Sequence, residues 1–388
     1  MKYLKLISLF LATVLIFYSW SKWSYSQPIV DNQGEIRGVW LTNIDSEILF
    51  SSQNTKDAIA SLKELNFNSL YPTVWNWGYT LYPSQVAEKI IGSKIDPHEG
   101  LQNRDVLAEI ITKAHQGNIR VIPWFEFGFM APADSVLATS HPQWLTRRKD
   151  DSEIWMEGKT HERVWLNPLH PQVQEFITDL VLEIVTNYDI DGIQFDDHFG
   201  YPSEFGYDSY TVGLYRREHQ GKLPPLDYLD PEWIEWRSHK ITEYMEILFH
   251  KIKAVKQNVI VSVSPNPQEF SKEMFLLDWA KWERKGFIEE LIVQIYRDNM
   301  EAFNRELSQK DLQLAKDHIP TAIGILTGLK GRPVNLDLIE AQISTTREQN
   351  FAGVSFFFYE SLWNIASETP QERQQFWTKI FSEKIFTN

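Results

Sequence analysis

Three observations in the sequence predict an α/β fold, a single (β/α)8 TIM barrel with long loops after strands three and four. Eight short runs rich in β-branched and aromatic residues alternate with stretches of helical period. Four of the seven intervals between successive strand starts are about 29–33 residues, the length of a minimal strand–helix unit. After the first run the chain reads TNIDSE, with no glycine-rich phosphate turn, which disfavours a doubly wound open sheet.

The expected strands are 36–43 (IRGVWLTN), 68–75 (NSLYPTVW), 119–126 (IRVIPWFE) and 192–197 (GIQFDD), followed by 259–264 (VIVSVS), 291–297 (LIVQIYR), 321–326 (TAIGIL) and 353–359 (GVSFFFY). Phe176, Leu180, Ile184 and Tyr188 recur at helical spacing, as do Ile241, Met245, Leu248, Ile252 and Val255, so helices are predicted over 172–188 and 232–256. The intervals flanking strand four are 73 and 67 residues long. Each of these helices runs directly into the next strand, so the surplus, 128–170 and 198–231, follows strands three and four. Loops in that position build the C-terminal face of a barrel, where active sites lie.

The 388 residues carry 38 Lys and Arg against 52 Asp and Glu, a net charge of −14. An acidic chain is poorly suited to nucleic acid or an anionic membrane surface, so no nucleic-acid partner is expected. No cysteine is present, which excludes disulfides, a thiol nucleophile and cysteine-bound zinc. Lys2 and Lys5 precede an apolar run over 6–18, and Ser24 and Ser26 are spaced as a cleavage site requires. Residues 1–26 are therefore expected to be a signal peptide and 27–388 the barrel, exported to the periplasm or the extracellular space. The alternative is an uncleaved anchor with Trp20 and Trp23 at the interface. With the signal removed, no stable membrane span is expected.

The most informative stretch is 191–198, DGIQFDDH. Ile193 and Phe195 share one parity of the strand, Gln194 and Asp196 the other. In a barrel the apolar parity faces the helices, so Asp196 points inward at the mouth. A carboxylate there is costly to desolvate without a use, although a helix cap or structural ion pair would also account for it. Asp197 faces the other way and is a candidate supporting carboxylate. Acid–base chemistry needs a partner from another strand end. Glu126, set among Trp124, Phe125 and Phe127, has the apolar surroundings that raise a carboxyl pKa and suit a proton donor. Glu360, after strand eight, is the second candidate.

Paired carboxyls in an aromatic-lined mouth point to glycoside hydrolysis, with a polysaccharide as partner. The 15 Trp, 15 Tyr and 23 Phe include candidates for stacking on sugar faces at strand ends: Trp40, Trp75, Trp77, Trp124, Tyr296 and Trp363, some of which must be core. Asn43, Gln194, His198 and Gln294, at or beside strand ends, and Asn167, just ahead of the following helix, complete the candidate binding set. Arg297 is either a substrate clamp or half of an ion pair. No cofactor is implied, and no HExxH occurs among the ten His. Asp196, Asp197 and His198 could ligate a metal, as in a metal-dependent polysaccharide deacetylase, but adjacent strand residues point apart, so no metal is expected.

The chain resembles the glycosyl-hydrolase-like family 10 of bacterial envelope proteins. The marks are Arg37-Gly38-Val39-Trp40, the strand-four stretch from Asp191 to Asp197, Val263-Ser264-Pro265, Gln294-Ile295-Tyr296 and Trp165-Leu166-Asn167-Pro168. The resemblance runs from about 35 to 370 and implies a (β/α)8 barrel, secretion and hydrolysis of β-linked glycans. Some members act on peptidoglycan strands lacking peptides. Strand four is also similar to the Asp-Gly-Phe-Arg-x-Asp pattern of amylase-like hydrolases, whose last Asp is the nucleophile. That position is Asp196, with Gln194 replacing the Arg. Many family members follow strand three with Asn-Pro-Tyr-Arg where this chain has Phe125-Glu126-Phe127-Gly128. A catalytically inert carbohydrate-binding barrel is the competing expectation.

Overall fold

The structure is a computed structural model and describes residues 34–382. The expected signal peptide lies outside the described residues. Among those described, no helix is long and apolar enough to cross a membrane.

Eight parallel strands form the central sheet. They are Ile36–Leu41, Ser69–Pro72, Arg120–Val121 resuming as Trp124–Phe125, Gly192–Asp196, Ile260–Ser264, Glu290–Gln294, Thr321–Leu326 and Gly353–Phe357. The pairing runs three–two–one–eight–seven–six–five–four–three. Both ends of that series are halves of strand three, so the sheet closes on itself. Pro123 causes the division, since it has no N–H to give the ladder. Before it, Ile122 N donates to Leu70 O on strand two (2.9 Å). At the break, the Pro123 carbonyl accepts from Gln194 N on strand four (2.8 Å).

Side chains of one parity, including Val39, Leu70, Phe125, Ile193, Phe195 and Val263, are buried under the helices. The other parity fills the barrel with Ile36, Trp40, Tyr71, Ile122, Trp124, Ile292 and Ala322. Gly38 makes that inner layer fit, because a Cβ there would lie 2.8 Å from both Ser355 Oγ and the Tyr71 ring. Deeper in the barrel, Glu290 pairs with Arg120 at 3.2 Å and accepts from Tyr71 Oη and Ser262 Oγ, so this buried charge is fully partnered.

The two long predicted helices form at Pro171–Asn187 and Pro231–Val255, each opening on a proline at its first turn. Both predicted long loops are present and structured. The one after strand three folds into an antiparallel sheet of Met130–Pro132, Trp155–Glu157 and His161–Trp165. The one after strand four carries the helix Ser209–Glu218. Strand two ends earlier than expected, at Pro72. Trp75–Asn76 instead pairs with Tyr79–Thr80 in a hairpin whose two turn residues, Trp77 and Gly78, both have positive φ (52° and 78°). A third elaborated loop thus follows strand two.

Candidate active site

Gln194 pairs with Trp124 and Phe195 with Phe125, and one further step of this register sets Asp196 beside Glu126. Both carboxyls belong to the inward parity and both are buried. The loops after strands one and two supply the partners of Glu126. Its Oε2 accepts from Thr42 Oγ1 (2.8 Å), Thr73 Oγ1 (2.8 Å) and Asn76 Nδ2 (2.9 Å). Burial nevertheless dominates and lifts its pKa to about 7 against these hydrogen bonds, with the nearby Asp196 charge adding to the rise.

Asp196 ends strand four and caps the 3₁₀ turn Asp197–Phe199, accepting from His198 N at 3.0 Å. His198 Nδ1 lies 3.2 and 3.1 Å from its two oxygens and 3.6 Å from Asp197 Oδ1. Burial raises Asp196 to about 7, opposed by His198. Burial alone would lower the imidazole, but Asp196 and Asp197 outweigh it and raise His198 to about 10, so at neutral pH a charged imidazole sits beside a carboxyl that titrates near 7. Asp197 is the more accessible carboxyl of the two and is oriented by Asn266 Nδ2 at 2.8 Å. Because Asp197 opens a turn, strand alternation no longer separates it from its neighbour. The ligand atoms of Asp196, Asp197 and His198 converge to within 4.8 Å of one another, which corrects the expectation that they point apart.

Tyr296 faces this group. Burial, followed by the charges of Asp197, Asp196 and Glu126, raises its hydroxyl well above the usual range. Its ring stacks on Phe357 at 5.7 Å, and Phe357 meets Trp40 and Trp124, both at 6.2 Å, forming an aromatic floor. Trp124 Nε1 and Asn43 Nδ2 are buried without a partner among the described residues. Asn43 Oδ1 receives Asn76 Nδ2 at 2.8 Å, which ties it to the Glu126 network. Gln294, partly exposed, donates to Ser264 O at 2.6 Å. Trp77 is half-buried at the hairpin turn beside Asn76.

The structure gives the other sequence candidates the following partners. Gln194 is spent inside the barrel, accepting from Trp40 Nε1 (2.8 Å) and donating to Ser262 Oγ (2.9 Å). Trp75 is fully buried against Phe176, its Nε1 donating to Gly128 O. Asn167 is a buried clamp between the two long loops, donating to Asp208 Oδ1 (3.0 Å) and Thr211 Oγ1 (2.8 Å). Arg297 pairs with Glu306 at 3.1 Å, which makes it half of an ion pair. Glu360 accepts from Ser46 Oγ at 3.0 Å. Trp363 lines an outer groove with the helices Ser52–Glu64 and Pro370–Ile380. Sequence reasoning missed Thr42, Thr73 and Asn76, whose only signal was their place just beyond strand ends.

Known proteins bear out the fold and the family. Glycosyl hydrolase DigH of Escherichia coli K12 is 25% identical over 299 residues, covering 67% of this chain and 65% of that protein. Glycosyl hydrolase YngK of Bacillus subtilis 168 is 23% identical over 285 residues, covering 67% of this chain and 49% of the relative. This chain therefore spans just under two thirds of the first relative and about half of the second. Among solved structures, α-L-fucosidase isoenzyme 2 from Paenibacillus thiaminolyticus superposes with a TM-score of 0.65 at 17% identity, over 90% of this chain and 49% of that one. The PgaB glycoside hydrolase domain from Bordetella bronchiseptica gives 0.58 at 13% identity, over 87% and 99%. Both support the barrel alone. Residues 35–344 match the family Glycosyl hydrolase-like 10, and the chain belongs to it.

Proposed function

We propose that the chain is an exported glycoside hydrolase that cleaves the glycan strand of the cell wall, or another extracellular polysaccharide. Glu126 is the proton donor and Asp196 the nucleophile or base. The reading rests on one observation: two buried carboxyls, both inward-facing, meet in register on neighbouring strands at the barrel mouth. Glu126, neutral below about pH 7, protonates the glycosidic oxygen. Asp196 in its ionised form, paired with His198, attacks the anomeric carbon or activates water. Neighbouring strands lie about 4.8 Å apart. That favours the roughly 5–5.5 Å carboxyl separation of retaining enzymes over the wider inverting arrangement. The wall substrate and export rest on the family resemblance and on the signal expected in residues 1–26.

The test is incubation of the full chain with peptidoglycan glycan strands, intact and stripped of peptides, with products read by mass spectrometry. Wild type should release fragments, whereas Asp196→Asn and Glu126→Gln should release them far more slowly. Binding without turnover across a wider glycan panel would instead identify an inert carbohydrate-binding barrel. The convergence of Asp196, Asp197 and His198 favours a second reading, a cation-dependent deacetylase. Release of acetate that is lost on chelation and restored by a divalent cation would select it.

A further inference from the structure

We propose that a strip of aromatic side chains running outward from His198 holds the sugar units of a long glycan beyond the bond being cleaved. The proposal rests on the glycosidase reading and extends it from the reacting bond to the polymer. His198 stacks on the Trp165 ring at 5.8 Å. From Trp165 the strip divides. One arm goes to half-buried Trp155 at 5.9 Å, the other to Phe275 at 6.0 Å and on to Phe270 at 5.9 Å. Phe270 and Met274 are 47% and 46% exposed. They stand four residues apart on the helix Gln268–Phe275 and so share a face, which leaves two large apolar side chains about half open to solvent.

The helix is anchored to the site at one end and to the long loop at the other. Two residues before it begins, Asn266 holds Asp197. Near its end, the carbonyls of Phe275 and Met274 accept from Tyr201 N (3.0 Å) and Ser203 N (2.9 Å). Trp165 is fully buried and cannot itself meet ligand, so its part is to fix the rings on either side. The accessible rings, Trp155 and Phe270, are thus held in packing contact with the carboxyl site through buried Trp165, and they belong to two of the loops that build the mouth. Sugar rings present flat C–H faces, which suit the accessible aromatic rings.

The experiment compares wild type with Trp155→Ala, Phe270→Ala, the double variant and Phe270→Trp on peptide-free peptidoglycan strands separated into short and long fractions. The expected result is a fall of about tenfold in kcat/KM on long strands for the double variant, unchanged cleavage of short ones, and recovery in Phe270→Trp. Equal losses on short and long strands, or none on either, would overturn the proposal. If wild type cleaves neither fraction, the hydrolase reading fails and affinity electrophoresis in the same long strands judges the strip. Retardation of wild type that is lost in the double variant sustains it, and identical migration of all the proteins refutes it.

Discussion

Glu126 and Asp196 stand side by side on strands three and four, yet their surroundings differ in kind. Glu126 is surrounded by neutral donors, Thr42, Thr73 and Asn76, whereas Asp196 is gripped by an imidazolium. Two carboxyls with divergent environments are the usual means of dividing acid from base.

The pH dependence of cleavage follows from that division. Activity needs Glu126 protonated, so kcat/KM should fall as pH rises through about 7. The acidic limb, where Asp196 takes a proton, also lies near 7, so the profile should be a narrow bell centred there. In Glu126→Gln the alkaline limb should vanish while the rate drops by roughly 10²–10⁴-fold. An alkaline limb of unchanged position in that variant would remove Glu126 from the acid role.

Stability should respond to the same group. The folded chain holds the Glu126 proton up to about pH 7, whereas the unfolded chain releases it near the ordinary 4.5. The stabilisation from a neutral, buried carboxyl is thus complete below pH 4.5 and lost as pH rises through 7. Glu126→Gln should therefore gain stability relative to wild type at pH 8 by up to about 3 kcal/mol, and little at pH 4.5. Denaturant melts at the two pH values check this.

Gly128 is the point where the loop after strand three crosses His198. Its φ is +48°, and an added Cβ would lie 2.3 Å from the His198 carbonyl oxygen. Phe129 N also donates to that oxygen at 2.9 Å. Gly128→Ala should cost roughly 1–3 kcal/mol and reduce turnover more than substrate affinity, because it displaces the residue that grips Asp196. A kcat equal to that of wild type would show that His198 does not need this support.

Asn167→Ala should loosen the two long loops without touching the carboxyls. Its amide bridges Asp208 and Thr211, and loss of these buried partners costs roughly 1–3 kcal/mol. Limited proteolysis should find new cleavage within 145–165 or 203–225, while glycan cleavage under stabilising conditions persists.

Much of this was legible in the chain. Alternation and spacing predicted eight strands and two long loops, and strand-four parity placed Gln194 and Asp196 inward. What escaped depends on residues distant in sequence. Thr42 and Thr73 are ordinary hydroxyls until barrel closure gathers them around Glu126. Trp75 and Trp363 sit near strand ends just as Trp124 does, but the chain turns after Pro72 and after Phe357 carry them into the helical layer. The convergence of Asp197 with Asp196 required knowing that the strand gives way to a 3₁₀ turn one residue earlier than alternation implies.

The divided third strand has a consequence for how this protein matures. Arg120–Val121 pairs mainly with strand two and Trp124–Phe125 mainly with strand four, with single bonds from Asp191 N to Val121 O and from Val74 N to Trp124 O, so the ring is sealed across Pro123. Glu126 hangs on the far side of that seam, and its partners come from the near side. A chain that has assembled every unit but left the seam unzipped would have a hydrated Glu126 of ordinary acidity, already stripped of its proton at neutral pH. Completion of the ring is what raises the pKa of the acid, so a chain with the seam open lacks a protonated Glu126 at neutral pH.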